Sequence, residues 1–265
     1  MRIVCFILGL FISVNAFAFD YYTKNRVFVG GKTYFRHYSE ELVSPKKSDE
    51  YGFLYGLTVG FQHKAPESFL YELDLDLDFG TTTYDGSLQN WYGDYMGPWK
   101  GKTRNIFFTV DSKLGYTFYL GDRHLLTPFV GYGTHAWARD LVDELETYAL
   151  EYASAGLQYD YMASPQLQYG VHVKFMPMLN GNMEAESTSA YLMTLGNKLH
   201  FEISLPIIYK LKANCKNHLR ITPYYRNQKF GQSDSVSTYN FMAVVYEPAS
   251  QNHVIGLKVD YGFGI

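Results

Sequence analysis

Residues 69–79 read FLYELDLDLDF. Phe69, Tyr71, Leu73, Leu75, Leu77 and Phe79 take the odd positions, and Glu72, Asp74, Asp76 and Asp78 take the even ones. Side chains on a β-strand alternate between two faces. One face of this strand is therefore a row of large apolar groups, and the other is a ladder of four carboxylates. On a helix the same residues would spread charge around the whole cylinder, so the period is two. The ladder needs water or cations beside it, because unpaired buried charge is very costly. The apolar row needs oil or a protein core.

The rest of the chain repeats this two-faced strand and decides between oil and core. Period-two runs are read at 27–38, 51–63, 69–83, 103–120, 125–137, 148–163, 167–179, 198–211, 219–230 and 253–265. The sixth run changes phase near Tyr152 and Ala153, which predicts a bulge there. The links 64–68, 121–124, 163–166 and 212–218 are short, whereas 39–50, 81–102, 138–147, 180–197 and 231–252 are long. The spacing thus predicts an all-β chain forming a closed ten-stranded antiparallel transmembrane barrel, with short turns at one end and long loops at the other. About fifty large apolar side chains would overfill the interior of so narrow a barrel, so the apolar face is expected to meet lipid. There only a closed barrel satisfies the backbone hydrogen bonds.

The first residues carry one cation, Arg2, then an apolar run from Ile3 to Val14 and Ala16-Phe17-Ala18. That is the pattern of a signal peptide over 1–18, followed by a barrel over 19–265. Cleavage after Ala18 would leave Cys215 as the sole cysteine, excluding an internal disulfide. The formal net charge of −3 does not suggest a nucleic-acid partner. The 25 Tyr and 23 Gly fit β structure with close-packed strands.

Thr127 to Gly133 (TPFVGYG), the second Thr-Pro-aromatic at Thr222-Pro223-Tyr224 and the closing KVDYGFGI resemble bacterial outer-membrane β-barrel proteins. In that family the closing residues form an assembly signal. Lys258, Tyr261, Phe263 and Ile265 fit it, while Asp260 stands where Gly is usual. The resemblance implies secretion to the bacterial outer membrane, a lipid environment, recognition by the barrel-assembly machinery and a monomer.

Alternation places the acidic ladder Glu72, Asp74, Asp76 and Asp78 in the lumen. It also builds a basic lumen wall from Lys32, Arg36, Lys198, Lys210, Arg220, Arg226 and Lys258. Acids reaching across to bases would make a charge-filled plug, and the chain is expected to be a structural or surface-exposed protein. The alternative is a narrow porin-like channel with a transverse field. No enzymatic activity is expected. The second alternative, an outer-membrane hydrolase, rests on His37 and Ser39, which share a strand face. Asp122-Arg123-His124 resembles the Asp-x-His of outer-membrane proteases but falls in a short turn, at the wrong end. The histidines show no metal-ligand spacing, and neither metal nor cofactor is expected. Tyr84, Trp91, Tyr92, Tyr95 and Trp99 lie in the 81–102 loop, where aromatics could hold a surface ligand or pack over the barrel mouth.

Overall fold

The computed structural model describes residues 25–89, 94–141, 144–186, 190–211, 216–237 and 244–265. The expected signal peptide, Cys215, Trp91 and Tyr92 lie outside the described residues. Seven long strands follow in order: β1 (Asn25–Glu40), β2 (Ser48–His63), β3 (Ser68–Gln89), β4 (Tyr95–Tyr119), β5 (His124–Leu141), β6 (Glu144–Met162) and β7 (Leu167–Glu186). Each pairs antiparallel with the next. The eighth wall is built in pieces. β8 (Ala190–Thr194) pairs with the upper part of β7, and β9 (Leu199–Ser204) and β10 (Ile207–Lys210) pair with the lower part. Pro206 separates β9 from β10, as expected of a residue that cannot donate to the ladder. β11 (His218–Phe230) is the ninth wall. Beyond it, β12 (Val236–Ser237) and β13 (Val244–Val245) form a small ribbon. β14 (Ser250–Gly264) is the tenth wall; it pairs with β11 and with β1, from Arg26↔Gly264 to Glu40↔Ser250, and closes the barrel.

The barrel has the inverted distribution that the sequence predicts. Leu57, Val59, Leu75, Leu77, Phe108, Val130 and Ile255 are exposed on the outside. Thr58, Asp78, Asp111, Lys174 and Asp260 are buried inside. Such a surface is stable only against hydrocarbon.

Three expectations are corrected. First, the strands run well into the segments expected to be loops. β3 and β4 have 22 and 25 residues, and pair from Ser68↔Thr117 to Gln89↔Tyr95. About ten residues suffice to cross the membrane, so about a dozen of each stand beyond it as a ribbon. Second, the register shift lies at the expected level, between Glu151 and Tyr152, but the extra residue is on β7. Glu151 pairs with Asn180 and Tyr152 with Met178, so Leu179 is the bulged residue. β6 itself keeps its phase, with Tyr148, Leu150 and Tyr152 all inward. Third, the lumen is not uniformly charged. Its outer half is an apolar core of Tyr38, Leu54, Phe107, Trp137, Tyr148, Met178 and their neighbours.

Candidate functional site: a two-storey lumen

The lower storey, toward the short turns, is built from ion pairs. Lys32 Nζ lies 2.8 Å from Asp76 Oδ2 and 2.9 Å from Asp78 Oδ2. Tyr34 also donates to Asp78, at 3.1 Å. Lys113, one strand along, donates to Glu72 and sits 3.5 Å from Asp74. Lys258 stands 3.6 Å from Asp76 and 3.9 Å from Asp74. Lys174 on β7 pairs with Asp111 on β4, across the lumen. Lys64 crosses from the β2–β3 turn to Asp160 on β6 at 2.5 Å. These pairs surround a cavity of about 110 Å³, large enough for several waters. Among the described residues, Asp76 Oδ1 and Asp111 Oδ1 accept no hydrogen bond from the protein at its wall, where water can serve them.

The ladder carboxylates lie inside the barrel, and only part of the expected basic wall meets the ladder. Lys32 and Lys258 reach it, as does Lys113, which lay outside the basic wall as drawn. Arg220 instead pairs with Asp260 at 2.8 Å, and Arg226 with Glu202 at 2.5 Å, each on a neighbouring strand. Lys210 lies at the short-turn end beside Arg26 and His218. Lys198 is exposed, in the gap between β8 and β9, and does not line the lumen. Alternation failed there because the eighth wall is broken.

Arg36 belongs to a separate group at the outer mouth. The Glu50 carboxylate has no solvent exposure and accepts from four side chains: Arg36 (2.7 Å), Thr82 (2.7 Å), Asn105 (2.9 Å) and Arg139 (2.8 Å). Arg139 also donates to Glu146 at 2.6 Å and lies 3.8 Å from Glu40. Both guanidiniums sit over the Trp137 ring, 4.1 Å away for Arg36 and 5.8 Å for Arg139. Trp137 in turn stacks on Tyr148 at 4.4 Å and on Phe107 at 5.5 Å. Glu50, Arg139, Trp137 and Tyr148 were not singled out from sequence. Glu50 and Arg139 fall in the links read as 39–50 and 138–147 and stand 89 residues apart, and Tyr148 meets Glu247 from 99 residues away.

The remaining sequence candidates scatter. Tyr84 is a buried residue of β3, packed on Trp99 at 5.2 Å, and not a loop residue. Tyr95 is exposed at the start of β4. On β14, Lys258 faces the lumen while Phe263 and Ile265 are exposed outside and Tyr261 is half-buried. His37 lies 3.6 Å from Asp49 and has no hydrogen bond to Ser39 among the described residues, so no His–Ser pair is assembled. His124 starts β5 at the short-turn end and bonds Tyr159 at 2.7 Å. No group of His, Cys, Asp and Glu that could hold a metal is found among the described residues.

No protein-family model and no curated protein sequence matches the chain. Solved structures do. The outer membrane protease OmpT from Escherichia coli overlays with a TM-score of 0.66 over 96% of this chain and 99% of that one, at 9% identity. This is the fold of an outer-membrane β-barrel. The translocator domain of the autotransporter NalP from Neisseria meningitidis covers 100% of this chain and 94% of its own, with a TM-score of 0.42 at 10% identity. A monoaromatic hydrocarbon channel, a TodX mutant, gives 0.41 at 7% identity over 91% of each chain. The expectation of a chain without enzymatic activity is corrected here. The architecture that this chain shares is that of a protease, so the barrel gives no ground for excluding catalysis. At 9% identity the likeness is one of fold and transfers no residue role.

Proposed function

We propose that the chain resides in the outer membrane as a monomeric barrel with a plugged lumen, and that its working surface is the mouth and the strand ribbon outside the membrane. The carrying observation is the set of inward ion pairs Lys32–Asp76, Lys258–Asp76, Lys174–Asp111 and Lys64–Asp160, which tie non-adjacent walls together inside the lumen. Above them the Phe107–Trp137–Tyr148 stack fills the outer half. An ion crossing this lumen would have to break buried ion pairs and then traverse an apolar layer, and both steps are costly. The long β3–β4 ribbon supports a surface role, since it exceeds the length needed to cross the membrane. The partners in this reading are outer-membrane lipid and, during assembly, machinery that reads Phe263 and Ile265 on the outer face of the last strand.

Planar-bilayer recording of the purified protein tests the reading. The wild-type barrel is expected not to conduct. Changing Asp74, Asp76 and Asp78 together to Asn should lower the unfolding temperature in detergent, because Lys32 and Lys258 lose their partners. Steady single-channel conductance in the wild type, with selectivity altered and stability untouched in the triple variant, would favour the narrow channel instead. Recovery of the protein in the soluble periplasmic fraction would rule out both.

A further inference from the structure

Between β11 and β14, residues 231–237 and 244–249 lie at the outer mouth and are tied to both sides of the barrel. Gly231 exchanges backbone hydrogen bonds with Gly196, Asp234 N donates to Thr194 O at 3.0 Å, and Glu41 N donates to Ala249 O at 2.7 Å. Val236 packs on the apolar core from above. Glu247 enters the mouth with 7% exposure, and its backbone N–H donates to Ser233 Oγ at 2.8 Å.

Glu247 meets charged and titratable groups from five strands. Tyr38 and Glu40 face the cluster from β1, with Arg36 below, and Glu50 faces it from β2. Tyr84 comes from β3, Arg139 from β5, and Glu146 and Tyr148 from β6. β14 contributes Ser250 and Asn252, which are uncharged. Among the described residues, four carboxylates (Glu40, Glu50, Glu146 and Glu247) therefore share two guanidiniums. Glu50 takes both guanidiniums, and Glu146 takes a second hydrogen bond from Arg139. Among the described residues, no cation lies within ion-pair distance of Glu247.

Hydrogen-bond accounting locates a proton. The Tyr148 hydroxyl lies 2.8 Å from Glu247 Oε1 and 3.0 Å from Glu146 Oε2. A phenol has one proton and can donate to only one of two carboxylates. Glu146 Oε2 already accepts from Arg139. Tyr38 also donates to Glu247 Oε1, at 3.2 Å, and both Tyr148 contacts are satisfied at once when Tyr148 donates to Glu146 and a protonated Glu247 donates to Tyr148.

We propose that Glu247 is a protonated latch, which holds residues 231–237 and 244–249 down over the aromatic chamber and releases them when the proton is lost. Burial, and then the charges of Glu40 and Glu146, push the Glu247 carboxyl well above its ordinary range. The sign follows from linkage: a raised folded-state value means that the latched state takes up the proton, so latching is present at low pH and lost as pH rises through that value. Ionised Glu247 would face two like charges in a buried site. Release uncovers the Trp137–Tyr148 stack to the outside, while the ion pairs of the lower storey stay intact.

The test is acrylamide quenching of Trp137 in the full-length folded protein, in a Trp91→Phe/Trp99→Phe background. Quenching should rise severalfold between about pH 5 and about pH 9, with the barrel's circular dichroism and heat-modifiable gel mobility unchanged. Glu247→Gln, which keeps a neutral donor, should stay at the low level at both pH values. Glu40→Gln removes a like charge that helps to hold the Glu247 value up, so the transition should move to lower pH. Quenching that does not change with pH, a rise that persists in Glu247→Gln, or a rise accompanied by loss of the β signal would each overturn the proposal.

Discussion

Arg36 on β1 and Glu50 on β2 meet at 2.7 Å, with side-chain exposures of 1% and 0%. A carboxylate so placed is held by its donors alone, and removing it leaves two guanidiniums without their shared anion. Glu50→Ala is therefore expected to cost about 3–5 kcal/mol. Asp85 pairs with Lys47 and Lys100 at the rim, where solvent screens the charges, and Asp85→Ala should cost far less. Urea unfolding of both variants in the same detergent checks the ordering. Equal losses would mean that the outer mouth is wet.

The pair Lys174–Asp111 crosses the lumen, and a double-mutant cycle isolates it. Lys174→Met alone should destabilise strongly by leaving Asp111 buried and uncompensated. Adding Asp111→Asn should recover much of that loss, because both charges are then gone. Additive losses would show that the two groups do not depend on each other.

Leu75 is on the lipid face of β3, and Leu88 is exposed on the same strand, near its outer end. An arginine near the membrane midplane costs about 2–4 kcal/mol, and outside the hydrocarbon it costs about 0–1. Leu75→Arg should therefore reduce the folded, heat-modifiable fraction in liposomes much more than Leu88→Arg. Similar yields would place the membrane band elsewhere on the strand.

Gly30 and Gly31 are neighbours on β1 with different surroundings. A Cβ on Gly30 would lie 2.2 Å from the Val259 carbonyl oxygen, whereas one on Gly31 would meet nothing closer than the Gly56 oxygen at 3.4 Å. Gly30→Ala forces backbone apart at the closing seam and should cost about 1–3 kcal/mol. Gly31→Ala should be close to neutral. Thermal unfolding of the two variants decides the point.

The outward face was legible because lipid asks for only one property, and Leu73, Leu75 and Leu77 or Leu57 and Val59 supply it without a break. The acidic ladder was legible for the same reason, its alternation being strict. The outer half of the lumen was not. Tyr148, Leu150 and Tyr152 point inward, yet an apolar inward residue has the same sequence signature as a phase change. This moved the expected bulge from Leu179 to the wrong strand. The cluster around Glu50 was hidden by distance, since Arg139 is 89 residues away and nothing local marks them as partners. Lys198 was misplaced because alternation cannot reveal that the eighth wall stops and restarts.

That eighth wall also sets how the molecule should come apart under load. Its lower ladders, β9 and β10, are 6 and 4 residues long, while β3 and β4 are zipped along more than 20. Between the short pieces, Leu205 N–H donates to Pro223 O and Gly170 N–H to Pro206 O, so the wall is stitched at that gap by single bonds. Pulled from one end, a sheet parts where the fewest bonds share the force. The β7–β9–β11 joint is thus the barrel's tear line, and strands 1 to 7 should leave the membrane as one block before any hairpin within that block yields.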